Sequence, residues 1–171
     1  MIIIVCTSYG QEDWIKYVSE VDQGFEVVVP GEMLLHRKSV STAVGALETL
    51  AFTYEGNAED KNKLYLINQV DYPTGTFLPD SVDLIGTFIK ASISTAAENI
   101  GGKVIYIHDT KVNGELGYSF RLKYNAGQGS IKGIATVSDD TFYMLQVYCH
   151  TDDSLNDEMD FFLESFHLYH R

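Results

Sequence analysis

Basic residues are scarce in this chain. Twelve Lys and Arg stand against twenty-four Asp and Glu, for a net charge of −12 and a pI of about 4.6. The few cations are scattered, so phosphate backbones and anionic lipid headgroups are repelled rather than gathered, and nucleic acid is disfavoured as a partner. Cysteine is limited to Cys6 and Cys149. Their spacing requires no disulfide, and no Cys/His zinc pattern occurs. No apolar run approaches the ~18 residues of a membrane-spanning helix.

Catalytic signatures are missing as well. No serine sits in a Gly-x-Ser-x-Gly elbow. Gly127-x-Gly129-x-x-x-Gly133 lies between two strands, where a phosphate loop needs a helix to follow, so it reads as a hairpin turn. Cys149 and His150 are strand neighbours that point to opposite faces and cannot pair as nucleophile and base. Cys149 itself reads as a buried, inert thiol. Asp152-x-Ser154-x-Asn156-x-Glu158 alternates oxygen ligands, yet Asp157 and Leu163 stand where a calcium loop needs Gly and Glu. A helix N-cap with acids near the positive dipole end fits those residues better. His167-x-x-His170 lies at the end of the sequence, where side chains are seldom held for a metal. The expectation is therefore no catalytic residue, no metal and no cofactor.

What is present is a fold pattern. Hydrophobic residues make up 45% of 171 residues, and eleven Tyr and nine Phe enrich the chain in strand formers. Tyr118, Phe120, Leu122 and Tyr124 alternate with Ser119, Arg121, Lys123 and Asn125, the period of a sheet with one buried face. Strands are predicted at 24–31, 34–42, 47–55, 63–72, 103–112, 118–126, 129–138 and 141–149. Gly45, Asn113-Gly114 and Asp139-Asp140 sit at turns. A helix from Asp80 or Ser81 to Ile100 carries Ile85, Phe88, Ile89, Ser92, Ala96 and Ile100 at helical spacing, and Gly101-Gly102 ends it. A second, at about 154–166, carries Met159, Phe162, Leu163 and Phe166. Short connections make the fold α+β, a mainly antiparallel sheet flanked by helices. Phe88, Ile89, Phe120, Leu122, Leu145, Phe162 and Phe166 are the expected core.

The N-terminus reads two ways. Ile2 to Cys6 followed by Ser8 and Gly10 has the look of the tail of a secretory signal peptide cleaved near Gly10–Gln11. The run is shorter than the roughly 7–15 residues of a complete h-region, and no basic stretch precedes it. The other reading is an ordinary first strand.

Several residues in order then resemble a family. They are Phe25-x-Val27-x-Val29-Pro30-Gly31-Glu32, Tyr65-x-Ile67 leading to Asp71-Tyr72-Pro73, and Gly101-Gly102 before a strand. Phe142-Tyr143-x-Leu145-x-Val147, leading to Phe162-Leu163-x-Ser165-Phe166, completes the set. Over residues 24–168 the chain resembles small bacterial extracytoplasmic proteins of unknown function with the PsbP-like α/β/α sandwich, a fold also used by a Ran-binding nuclear import factor. Asn113-Gly114-Glu115 lacks the Pro-Gly pair frequent in that family's hairpin. The resemblance implies a fold and an exported location and supplies no catalytic residue.

The resulting expectation is a signal remnant at 1–11 and a single PsbP-like domain at 12–171. It would be a non-enzymatic accessory or binding protein outside the cytoplasm, or a cytoplasmic one if residues 1–11 are not a signal. Its partner would be a protein or a small neutral ligand. Tyr65, Tyr106, Tyr118, Arg121 and Lys123 are the candidate groove residues, because tyrosine joins an apolar ring to a polar tip. A divergent hydrolase and an intracellular adaptor are the alternatives.

Overall fold

Strand alternation in the sequence becomes ten strands in a computed structural model that describes residues 14–19, 24–42 and 45–169. Residues 1–11, with the expected signal remnant and Cys6, and His170 lie outside the described residues. The strands are β1 (Ile15–Val18), β2 (Gly24–Val29), β3 (Leu34–Thr42), β4 (Gly45–Glu55), β5 (Asn62–Asp71), β6 (Lys103–Val112), β7 (Glu115–Tyr124), β8 (Gly129–Ser138), β9 (Thr141–His150) and β10 (His167–Tyr169). Two helices, α1 (Val82–Asn99) and α2 (Asp157–Glu164), complete the fold.

Seven strands form one antiparallel sheet in the order β3-β4-β5-β9-β8-β7-β6. Neighbours are consecutive in sequence except at β5–β9, where residues 62–71 meet 141–149. The remaining strands form a small sheet, β1-β2-β10. It lies with α2 over one face of the large sheet, where Phe25, Val27 and Val29 meet Phe52, Ile67, Leu145 and Phe162 in one buried cluster. On the other face α1 packs over β6, β7 and β8. There Ile89, Ile93 and Ala97 meet Phe120, Leu122 and Ile131 in a second cluster. Each face of the sheet is thus apolar for its own reason, and the α+β sandwich read from the sequence is the observed architecture.

Differences are local. Phe88 is half-buried rather than core. The buried row of α1 is Gly86, Ile89, Ile93 and Ala97, one step around the helix from the expected stripe. Phe88 instead joins Tyr72, Phe77 and Phe142 in an aromatic cluster at the rim, at centroid distances of 4.9–5.5 Å. The helix ends as expected: Gly101 takes φ +61, and the amides of Gly101 and Gly102 bond the carbonyls of Glu98 and Ala97. α2 starts later than the predicted 154, because Asn156 is its N-cap, accepting from the Met159 amide at 3.1 Å. At its other end α2 stops at Glu164, so Ser165 and Phe166, read as helix, form the short link to β10. β7 starts three residues earlier than read, since Asn113-Gly114 closes the hairpin as a two-residue turn.

Candidate functional site

The loop between β4 and β5 and the start of α2 come together over the end of β5. Asn62, the first residue of β5, is 1% exposed. Its side-chain amide donates to the Tyr65 hydroxyl at 2.8 Å, to Asn156 Oδ1 at 3.1 Å and to Glu158 Oε2 at 3.2 Å. The Asn156 amide returns a bond to Asn62 Oδ1 at 3.0 Å. This reciprocal pair locks β5 to the cap of α2 and satisfies polar groups that burial would otherwise penalise. The loop is closed from its own side: Asp60 Oδ2 accepts from the Asn57 amide at 2.6 Å, and Lys63 donates to the carbonyls of Ala58 and Asp60.

Over this floor stands a cavity of about 160 Å³. Trp14, Tyr54, Tyr65 and Pro30 give it apolar walls, and Asp60, Glu158, Asn57 and Asn62 give it polar ones. The rings touch one another: Tyr65 lies 5.8 Å from Trp14 at 89° and 5.9 Å from Tyr54 at 56°. Phe161 and Phe162 of α2 hold Trp14 and Tyr65 from behind at 5.3 and 5.1 Å. Burial raises the Tyr65 phenol far above its ordinary value. The bond from Asn62 opposes that rise, and the nearby charges of Glu158 and Asp60 add to it. At neutral pH the hydroxyl is therefore a fixed neutral dipole, not a base. Neither Asp60 nor Glu158 is in an ion pair among the described residues.

The candidate groove residues are dispersed. Tyr65, Arg121, Lys123 and Tyr106 share the face that carries α2, and Tyr65, Val147, Lys132, Arg121 and Tyr106 form one row across five strands. At a strand spacing of ~4.8 Å, Tyr65 and Tyr106 are roughly 19 Å apart. Arg121 bonds Ser130 at 3.1 Å and also Ser154, while Lys132 is paired with Asp160. Tyr106 stacks on His108 at 4.6 Å on the outermost strand. Tyr118 lies on the opposite face under α1, with the Lys90 ammonium 4.7 Å from its ring centre. Of the five, Tyr65 lines the cavity. Sequence reasoning did not single out Trp14, Tyr54, Asp60, Asn62 or Glu158 as a set; being the chain's one tryptophan was the only individual signal, and it belonged to Trp14.

A second, shallower groove runs between α1 and β9, lined by Phe88, Ser92, Ala96, Phe142 and Met144. Its lining is mostly carbon, with no convergent set of polar groups. Cys149 is buried, and burial pushes its thiol up to about 11. His167 contacts Asn113 Oδ1 at 3.2 Å. Among the described residues no three His, Cys, Asp or Glu side chains are grouped to hold a metal.

Comparison with known structures places the fold. The solution structure of cyanobacterial PsbP (CyanoP) from Synechocystis sp. PCC 6803 matches with a TM-score of 0.57 at 16% identity, over 96% of this chain and 97% of that one. The chain therefore has the PsbP-like fold. A Pseudomonas aeruginosa protein of unknown function, PA94, matches with a TM-score of 0.42 at 11% identity, over 72% of this chain and 86% of that one. No family model matches, and no curated protein matches the sequence.

Proposed function

We propose that this chain is a non-enzymatic accessory or binding protein acting outside the cytoplasm, with residues 12–171 as its working domain. The observation that carries the binding reading is the make-up of the cavity beside Tyr65. Its polar groups are carboxylates, carboxamides and a phenol held neutral, with no serine, cysteine, histidine or lysine among its lining residues. Such a set offers polar recognition groups beside aromatic rings, without the Ser, Cys or His of an acyl-transfer site. The export reading rests on Ile2 to Cys6 with Ser8 and Gly10 behind them. No helix among the described residues is long and apolar enough to cross a membrane.

Fractionating the native host and measuring the N-terminus of the mature protein tests location. The expected product lies outside the cytoplasm and begins near Gly10–Gln11. A full-length cytoplasmic product would reverse the location. A broad hydrolase screen tests the other half, and turnover abolished by one substitution in a cavity would make the protein an enzyme.

A further inference from the structure

We propose that the cavity bounded by Trp14, Tyr54 and Tyr65 binds a small organic ammonium ion, with Asp60 and Glu158 as its counter-charges. This deepens the binding reading above and rests on it. It also replaces the neutral ligand expected from the sequence with a cationic one.

Three features converge. The first is two carboxylates on one small cavity with no cation paired to either among the described residues. Lys63, on the same loop, is committed to the carbonyls of Ala58 and Asp60 and does not line the cavity. Two carboxylates bordering one small cavity give it a negative field that favours a cation over an anion. The second is the wall. Trp and Tyr faces attract a cation through the ring quadrupole, most strongly where water is displaced; Trp14 and Tyr54 line this volume beside Tyr65, which is itself 2% exposed. The third is the rigidity of the floor. Asn62 and Asn156 bond each other reciprocally, and Asn62 also holds Glu158 and the Tyr65 hydroxyl, so the acceptors are set before a ligand arrives.

Other ligand chemistries fit less well. An anion meets two carboxylates. An uncharged ligand leaves both carboxylates as they are and gains nothing from them. A divalent metal prefers a shell of six or more oxygens, and the described residues hold no metal-ligating group of three. The volume of about 160 Å³ is below the ~300 Å³ at which drug-sized pockets begin, so the ligand is an ammonium headgroup of a few heavy atoms.

Trp14 is the chain's one tryptophan, so its emission reports this cavity alone. The experiment titrates the purified full chain with tetramethylammonium and n-butylammonium, and with their uncharged counterparts tert-butanol and n-butanol. A saturable change in Trp14 emission is expected for at least one ammonium, with its uncharged counterpart roughly tenfold weaker or silent. Glu158→Gln and Asp60→Asn should each weaken the response about tenfold while keeping the circular-dichroism melting curve. Should either variant fail to fold, Tyr54→Leu, which removes one ring at the rim, carries the same expectation. Equal responses to the charged and uncharged probes would overturn the charge assignment and leave the binding reading standing. Saturation by calcium or manganese but by neither ammonium would make the cavity a metal site, and no saturable response to either ammonium would sink the proposal.

Discussion

Phe166 follows α2 and inserts between Phe25 of the small sheet and Tyr143 of the large one, at 5.4 and 5.6 Å. It is 3% exposed. Phe166→Ala should cost on the order of 3–5 kcal/mol, read by chemical denaturation; an unchanged midpoint would remove this ring from the core. Asp140 works at the opposite rim. Its carboxylate accepts from the amides of Phe77 at 2.9 Å and Gly75 at 2.8 Å, and these bonds to the charged form hold it below its ordinary value. A depressed carboxylate adds stability above its unfolded pKa and loses it as pH falls through the folded value. Asp140→Asn should therefore lower the melting temperature at neutral pH, with the gap narrowing under acid conditions. Of the seven residues expected in the core, six are buried, because strand alternation marks faces directly. Phe88 was misjudged because an aromatic on the edge of a helical stripe reads like one at its centre. Trp14, Tyr54, Asp60, Asn62, Tyr65 and Glu158 could not be read as a set, since the cavity exists only once the segments around residues 14, 30, 54–65 and 158 have met.

At the scale of elements, α1 shows how close approach is arranged. Gly86 stands over β7, and a methyl group there would lie 2.7 Å from the Tyr118 hydroxyl. Alanine inside a helix normally gains ~1 kcal/mol over glycine. Gly86→Ala should lose that gain against the Tyr118 hydroxyl and recover it in the Tyr118→Phe background, where the next ring atom is 3.7 Å away. A double-mutant cycle measures the difference; additivity would show that the ring moves freely. The long strands were legible because nine to eleven residues hold several periods of alternation, and their turns carry Gly, Asn or Asp. β1 and β10 were missed because four and three residues hold too few. The end of α2 was overread since Phe166 continues its apolar spacing while the backbone has already turned.

Across the whole molecule, burial is the first cause raising the phenols of Tyr65, Tyr72, Tyr124, Tyr143 and Tyr148. A raised phenol contributes stability that is complete below the ordinary value of ~10 and is lost as pH climbs through the folded one. In an absorbance titration these tyrosines should stay silent near pH ~10 and then ionise together with loss of near-ultraviolet circular dichroism. Independent titration of all eleven tyrosines would contradict their burial. The order of the strands has a further consequence. β2 is made early, but the elements that cover its Phe25, Val27 and Val29 include α2 and β10, residues 157–169. A chain leaving the ribosome therefore holds this apolar face open until those residues have emerged. The small sheet and its cover are thus completed by the last elements to be synthesised, not the first.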